Sequence, residues 1–310
     1  MNGPRIVFMG TPEFGCAILN TLIKLKQNVV AVVCQPDKKV GRKQEIVFPV
    51  TKKTALEHDI PVIQPIKIRE DYQKVLDYKP DLIITCAYGQ IIPAAVLDYP
   101  KLGCINVHSS LLPKLRGGAP IQHAIIDGYT ETGVTIMEMD RKMDSGAIIS
   151  QASCRIDPED TYGTLHDRLI EVAVKLLEET LPSILDHSYI PQPQAEEEVT
   201  FGYNITKEEE RLDLSKSYME VYNRARGLIP APCAYFMVDG KKVKIWDIKT
   251  SDITTGSPDG TLSFSGNDIT LAVDGRLLVI RELQLEGKQR MSARDFRNGA
   301  GRNWEGKMAE

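Results

Sequence analysis

The first two hundred residues alternate between short, almost continuous apolar runs and longer stretches with helical periodicity. Short apolar runs are typical of strands that are buried on both faces of a sheet. The apolar runs predict strands at residues 5–9, 28–34, 82–86, 104–107 and 134–139. The stretches between and after them predict helices at residues 14–25, 69–78, 120–126 and 161–185. This alternation indicates an α/β domain with a doubly wound, mainly parallel sheet.

The pattern changes after residue 190. Residues 191–198 combine two prolines, two glutamines and a run of glutamates, a composition typical of a linker. A helix is predicted at 214–226, and Asp-Gly and Gly-Asn turns then separate several short strands. These strands are predicted at residues 234–238, 243–248, 261–264, 269–273 and 277–280. Strands of this length and spacing fit a small OB-like β-barrel. We therefore expect a domain at 1–190, a linker at 191–205 and a second domain at 206–310.

Composition agrees with two globular domains. The chain has 310 residues, of which 42% are hydrophobic and 26% charged. Because no apolar run reaches about 18 residues, a membrane-spanning helix is excluded. The six cysteines are widely scattered and form no close pair, which argues against a disulfide framework and against a zinc ribbon. We expect a reduced, cytoplasmic chain.

The first strand is followed by Gly10 and Gly15, where a dinucleotide-binding fold would carry its glycine-rich turn. Pro12 and Glu13 stand between the two glycines, and Glu13 would compete with a pyrophosphate for the positive end of the helix. The sequence therefore disfavours a nicotinamide-dependent dehydrogenase.

The strongest candidate for chemistry is Asn106-Val107-His108, at the C-terminal end of a predicted strand. Ligands of open α/β sheets bind at such ends, and residues two apart in a strand share one face. An amide beside an imidazole suits the stabilisation of an oxyanion next to a group that moves protons. Asp144, in a turn after the strand at 134–139, would orient the imidazole and hold it protonated if the two meet.

Four motifs resemble those of the formyltransferases that use 10-formyltetrahydrofolate. They are Asn106-x-His108, Ser110-Leu111-Leu112-Pro113, Arg116-Gly117 and Asp144-x-Gly146. Further segments look most like the members of that family that act on methionyl-tRNA, and they extend the resemblance over nearly the whole chain. These segments are residues 9–12, 35–37, 105–122, 132–137, 229–232 and 285–288.

The resemblance implies a Rossmann-like formyltransferase domain and a role for each matching residue. His108 corresponds to the catalytic acid and base, Asp144 to its ionic partner, and Asn106 to the amide that stabilises the tetrahedral intermediate. The donor is 10-formyltetrahydrofolate, and no metal is expected to be needed for the transfer. The residues that correspond to the folate site are Ser110, Leu111, Leu112, Pro113, Tyr88, Gly89, Gln90 and Ile91.

The acceptor is indicated by residues 35–53, which carry six basic and two acidic residues in a chain whose net charge is −4. A basic segment beside the expected site favours a phosphate-rich substrate. The resemblance implies that Arg42 reaches the acceptor stem of initiator methionyl-tRNA, and that Lys38, Lys39 and Lys43 also contact the tRNA. The implied reaction formylates the methionine α-amino group for translation initiation, by a protein that we expect to be a monomer without a membrane partner.

Other functions remain open from the sequence. A formyltransferase that acts on a sugar amine or another small amine, glycinamide ribonucleotide among them, would share Asn106, His108 and Asp144. A hydrolase that releases formate from the same folate would need water at the reacting carbon. A non-catalytic RNA-binding protein could keep the α/β domain as a scaffold, although the intact trio argues against that.

Overall fold

The structure is a computed structural model that describes residues 3–41 and 44–310. The chain forms two compact units. Unit 1 comprises residues 3–41, 44–120, 132–154 and 167–203. Unit 2 comprises residues 121–131, 155–166 and 204–310.

Most strands of the first two hundred residues form one sheet, in the order β5-β2-β1-β6-β7-β8-β9. Its pairs from β5 to β7 are parallel, whereas β8 runs antiparallel to β7. Two further strands, β3 and β4, form a separate antiparallel hairpin. The strands are β1 (Ile6–Gly10), β2 (Val29–Val33), β3 (Lys38–Val40), β4 (Glu45–Val47), β5 (Val62–Ile63), β6 (Leu82–Cys86), β7 (Cys104–His108), β8 (Glu131–Glu138) and β9 (Ile148–Arg155).

Helices alternate with these strands, which confirms the predicted α/β class. The predicted helix at 69–78 is divided into two short helices, with Tyr72 between them. The helices are α1 (Glu13–Lys24), α2 (Val50–Glu57), α3 (Ile68–Asp71), α4 (Gln73–Leu76), α5 (Ala94–Leu97), α6 (Pro120–Ile126), α7 (Tyr162–Leu185), α8 (Tyr218–Gly227) and α9 (Ala293–Asn298).

The centre of the sheet is buried on both faces, as the continuous apolar runs predict. Ile6, Val7 and Phe8 of β1 have no exposed surface, and every residue of β6 is buried. The ends of β1 and β6 approach so closely that a Cβ at Gly10 would lie 2.6 Å from the carbonyl oxygen of Cys86. The glycine is therefore required by backbone packing.

Unit 2 contains an antiparallel sheet in the order β10-β11-β14-β13-β12, with β15 paired to β14. The C-terminal residues 306–310 hydrogen-bond to Met237 in β10 and to Leu262 in β12, the two ends of that order. This segment closes the sheet, in agreement with the predicted small barrel. The strands are β10 (Tyr235–Val238), β11 (Lys241–Lys249), β12 (Leu262–Ser265), β13 (Asp268–Val273), β14 (Arg276–Leu285) and β15 (Met291–Ser292).

Unit 2 also includes two segments from the first half of the chain, so its boundaries differ from the simple division that the sequence predicts. Arg226, only 5% exposed, donates hydrogen bonds to the carbonyl oxygens of Asp157 and Asp160 at 3.2 and 2.7 Å. α8 itself begins four residues later than predicted, because Ser217 and Glu220 form a capping box at its N-terminus.

The segment predicted as a linker, 191–205, is ordered against unit 1 as far as Tyr203. Arg116 donates its backbone N–H to Thr200 and accepts from Gly202, and Gln192 exchanges two backbone hydrogen bonds with Ile148. The two units divide after Tyr203. None of the helices in the described part of the chain is long and apolar enough to cross a membrane.

Candidate active site

The candidate site lies at the carboxyl ends of β6 and β7, where the sequence predicts it. Asn106 and His108 project from one face of β7, and Val107 between them is buried on the other. Asn106 is partly exposed, whereas the His108 side chain is only 6% exposed. The strand therefore offers an accessible amide beside a largely enclosed imidazole.

The orientation of the Asn106 amide is fixed by the neighbouring strand. The hydroxyl of Thr85, at the end of β6, donates to Asn106 Oδ1 at 2.7 Å. Thr85 is 3% exposed, so this hydrogen bond is shielded from water. Because Oδ1 is occupied as an acceptor, the amide NH₂ remains as the donor toward a ligand.

His108 is held between a backbone carbonyl and a carboxylate. Its Nε2 lies 3.0 Å from the carbonyl oxygen of Leu115. Since a carbonyl can only accept, Nε2 carries a hydrogen in both charge states of the ring. Nδ1 is the other ring nitrogen, and it lies 3.9 Å from Asp144 Oδ2. The structure thus brings His108 and Asp144 together, at a distance slightly longer than a hydrogen bond.

Asp144 is positioned by its backbone as well as by its side chain. Its φ of 49° lies in the left-handed region, and Oδ2 accepts the N–H of Gly117 at 2.8 Å. The side-chain amide of Gln194 donates to the carbonyl oxygens of Asp144 and Gly146 at 2.9 and 2.7 Å. Arg116, itself 5% exposed, binds Gln194 Oε1 through two nitrogens at 3.0 and 2.8 Å. A buried network therefore holds the loop that carries the carboxylate.

Leu111 and Pro113 of the predicted folate loop are partly exposed, and Leu112 is 3% exposed. Thr135 fixes the loop, because its hydroxyl donates to the carbonyl of Ser110 at 2.7 Å and accepts the N–H of Leu112 at 3.1 Å. The Ser110 hydroxyl is buried and donates to a carbonyl within the same loop. Loop backbone and apolar side chains, and not the serine hydroxyl, are thus the groups that this segment presents.

The second predicted folate segment, residues 87–91, divides into supporting and accessible residues. Tyr88 is 4% exposed, and burial raises the pKa of its hydroxyl. Gln90 is used internally, since its Oε1 accepts the N–H of Ile68 at 2.8 Å. Gly89 is exposed with a φ of 85°, and Ile91 is 90% exposed. Ala87, Gly89 and Ile91 are therefore the exposed residues of this segment.

The basic segment is only partly described. Lys38 and Lys39 lie on the β3–β4 hairpin and are exposed, whereas Arg42 and Lys43 lie outside the described residues. Lys52 is different from these lysines. It forms an ion pair of 2.7 Å with Asp37, and hydrogen bonds from Gln64 and Lys52 hold the pKa of Asp37 below its usual value.

Covalent chemistry by a cysteine near these strands is disfavoured. All six cysteines are free. Burial raises the pKa of Cys34 to about 11 and that of Cys104 to about 12, so neither thiol ionises appreciably at neutral pH. Within residues 3–41 and 44–310, no group of three His, Cys, Asp or Glu side chains is arranged to hold a metal ion.

Four polar residues around the site were missed by the sequence reasoning. Thr85 could have been found, since it is the one polar residue in an otherwise apolar strand and stands near its carboxyl end. Thr135 lies in the resembling segment 132–137 but was given no role there, and Gln151, which binds the Leu112 carbonyl, has no local signal. Gln194 was hidden in a segment that has the composition of a linker.

Two known protein families match this chain, one after the other along the sequence. The Formyl transferase family matches residues 4–181, and the Formyl transferase, C-terminal domain family matches residues 204–301. Methionyl-tRNA formyltransferase of Geobacillus thermodenitrificans is 49% identical over 96% of this chain and 94% of its own. That of Bacillus subtilis is 48% identical over 96% of this chain and 95% of its own.

Solved structures share the fold at low identity. HypX from Aquifex aeolicus in complex with tetrahydrofolic acid matches with a TM-score of 0.69 at 16% identity, over 98% of this chain. The match covers 49% of HypX, so this chain spans about half of that protein. WlaRD, a sugar 3N-formyl transferase, matches with a TM-score of 0.67 at 19% identity, over 93% of this chain and 100% of its own. Such identities establish the fold alone.

The two-unit fold, the site at the ends of β6 and β7, and the two family matches define a formyl transferase. The sequence identity of 46–49% to relatives of nearly equal length identifies the family within this class. The chain belongs to the methionyl-tRNA formyltransferase family.

Proposed function

We propose that the protein transfers a formyl group from 10-formyltetrahydrofolate to the α-amino group of methionine on initiator tRNA. The observation that carries the proposal is the arrangement of Asn106, His108 and Asp144 around the carboxyl end of β7. Family membership supports both the donor and the acceptor. The product, formylmethionyl-tRNA, would serve translation initiation.

Asn106 would stabilise the negative charge that develops on the formyl oxygen. Its NH₂ is directed by the hydrogen bond that Thr85 donates to Oδ1, so the donor is oriented before the substrate binds. A preorganised donor of this kind is worth about 3–4 kcal/mol of activation free energy.

His108 would move the proton, and Nδ1 is the atom that does so, since Nε2–H is committed to the carbonyl of Leu115. When Nδ1 is protonated, the imidazolium faces the carboxylate of Asp144. The carboxylate thereby faces the nitrogen that moves the proton, and the distance of 3.9 Å leaves room for contraction when substrates bind. The imidazole can accept a proton from the attacking amine and supply one to the leaving nitrogen.

The folate fits the two loops beside this trio. Its pterin ring has several donors and acceptors on one edge, and the backbone of the exposed residues Gly89 and Ile91 would pair with such an edge. Ser110–Pro113 would lie against the folate through Leu111 and Pro113. Tyr88 and Gln90 would support these contacts from within the protein. The folate supplies an activated formyl group, and the transfer itself is proposed to need no metal.

The tRNA would be held partly by the basic segment. Lys38 and Lys39 are exposed on a hairpin, as contacts to phosphates require. Arg42 and Lys43 are proposed as further contacts on the basis of the family resemblance alone. We also propose that the protein is cytoplasmic, since six free cysteines suit a reducing compartment. We propose in addition that it acts as a monomer.

The test is formylation by the purified protein of charged initiator tRNA, with a nucleotide-linked sugar amine and water as competing acceptors. We expect turnover with the tRNA, and its near-complete loss in His108→Ala with tRNA affinity unchanged. His58→Ala, at an exposed histidine, is the matched control. Preferential formylation of the sugar amine, or release of formate without transfer, would contradict the proposal.

A further inference from the structure

Two aromatic rings near the site are stacked on each other and yet open to solvent. The centroids of Phe201 and Tyr203 are 5.2 Å apart, and their planes differ by 3°. Phe201 is 44% exposed and Tyr203 is 59% exposed. Phe201 is therefore accessible to a further ring, with Tyr203 stacked against it.

Hydrogen bonds fix this pair relative to the catalytic loops of unit 1. Arg116 donates its N–H to the carbonyl of Thr200 at 2.9 Å and accepts the N–H of Gly202 at 2.8 Å. Arg116 is thus directly opposite Phe201 in a parallel bridge. Residues opposite each other in such a bridge point to the same face, and Tyr203, two residues on, shares it.

Side chains on that face connect to the loop that carries Asp144. The Arg116 side chain binds Gln194, and Gln194 binds the backbone carbonyl of Asp144. The next residue, Gly117, donates to Asp144 Oδ2, and a Cβ at Gly117 would lie 2.7 Å from the carbonyl oxygen of Gly202. The backbone that carries the rings and the backbone that holds Asp144 are therefore in direct contact.

We propose that Phe201 and Tyr203 form a stacking platform for the nucleobase at the aminoacylated end of the acceptor. The proposal rests on the function proposed above. An aminoacyl group is esterified to the terminal ribose, so the base on that ribose is the aromatic group closest to the reacting amine. Aromatic side chains stack on any base, which suits a contact that orients the end of a strand without reading its sequence.

The test compares two small acceptors that differ only in the base, namely adenosine and base-free ribose, each esterified with methionine. Phe201→Ala should lower kcat/KM for the adenosine ester about ten-fold, mostly through KM, because one stacked base contributes that order of affinity. Tyr203→Ala should act in the same direction. The base-free ester should be unaffected, and Phe201→Tyr should retain wild-type behaviour.

Tyr99→Ala serves as the control, since it removes another ring of unit 1 that is 45% exposed. A direct readout is the fluorescence of methionyl-tRNA with 2-aminopurine in place of its terminal adenine. The wild type should quench it, and Phe201→Ala should quench it less. This measurement does not depend on turnover.

Three results would overturn the platform while leaving the proposed function intact. If the alanine variants lose equal activity with both esters, the rings only support the fold. If they raise KM for 10-formyltetrahydrofolate instead, the surface belongs to the donor. Unchanged quenching in Phe201→Ala would show that the base is bound elsewhere. If the wild type formylates no methionine ester and no methionyl-tRNA, the proposed function fails first, and the platform fails with it.

Discussion

Replacing Gln194 by methionine would test whether the buried network around Asp144 supports catalysis. Gln194 is 9% exposed, and its side chain makes four hydrogen bonds, two with Arg116 and two with the carbonyls of Asp144 and Gly146. Methionine keeps most of the volume and removes all four. The change therefore removes polar contacts without opening a large cavity.

The expected loss of stability follows from these contacts. A hydrogen bond between neutral groups contributes about 1 kcal/mol, and one to a charged group about 2 kcal/mol. With the guanidinium fork counted once, the contacts of Gln194 amount to about 4 kcal/mol. Arg116 keeps its 2.9 Å hydrogen bond to Glu196. We therefore expect the free energy of unfolding to fall by about 2–4 kcal/mol.

The expected loss of activity is larger than this stability change alone would cause. The loop of Asp144 has a left-handed backbone, and without Gln194 its carbonyls lose the donors that hold it. Misplacing a catalytic group by about 1 Å costs about 100-fold in rate. We expect kcat to fall about 100-fold, with KM for the folate little changed, because Thr135 and Gln151 still hold the folate loop.

The assay is steady-state formylation together with urea unfolding. Gln192→Met is the matched control, because Gln192 is exposed and binds Ile148 through its backbone alone. Gln194→Glu separates the two halves of the network, since it keeps an acceptor for Arg116 and loses the donors to the carbonyls. It should recover neither kcat nor full stability, because a carboxylate oxygen would then face the two carbonyl oxygens to which Gln194 donates. If folded Gln194→Met keeps kcat within about two-fold of the wild type, the reasoning is wrong.

Three further predictions concern other parts of unit 1. Thr85→Val should lower kcat about ten-fold without changing KM for the folate, because the Asn106 amide loses its orienting donor, and Thr85→Ser should restore it. Gly146→Ala should lower the free energy of unfolding by about 2–4 kcal/mol in urea, since a Cβ there would lie 1.9 Å from a backbone carbonyl oxygen. Lys38→Ala should reduce the salt slope of tRNA binding by about one, whereas Lys52→Ala, which breaks an internal ion pair, should mainly lower stability.

Much of the fold could be predicted from the sequence, because the central strands of the large sheet in unit 1 are buried on both faces and leave continuous apolar runs. The strand at 82–86 and the helix at 120–126 have the bounds that the pattern predicts. Units assembled from distant segments could not be predicted in this way. Arg226 finds its acceptors near residues 157 and 160, and no local pattern records such pairings.

The candidate trio was also accessible from the sequence, because chemistry gathers at strand ends and Asn106-x-His108 stands at one. The role of each side-chain atom in the site could not be predicted from the sequence. That Nε2 is committed to a carbonyl depends on Leu115, whose φ of 59° no residue preference predicts. That Tyr88 and Gln90 face the interior depends on tertiary packing around them.

Gln194 shows why composition alone did not reveal the role of the segment predicted as a linker. Prolines, glutamines and glutamates are frequent in linkers because they lack apolar surface to bury. The loop around Asp144 instead needs polar partners, since it leaves buried carbonyls that must be satisfied. A glutamine supplies donors to those carbonyls and an acceptor to Arg116 from one side chain. A segment with the composition of a linker can therefore complete a candidate active site, wherever the loops beside it leave backbone groups without partners of their own.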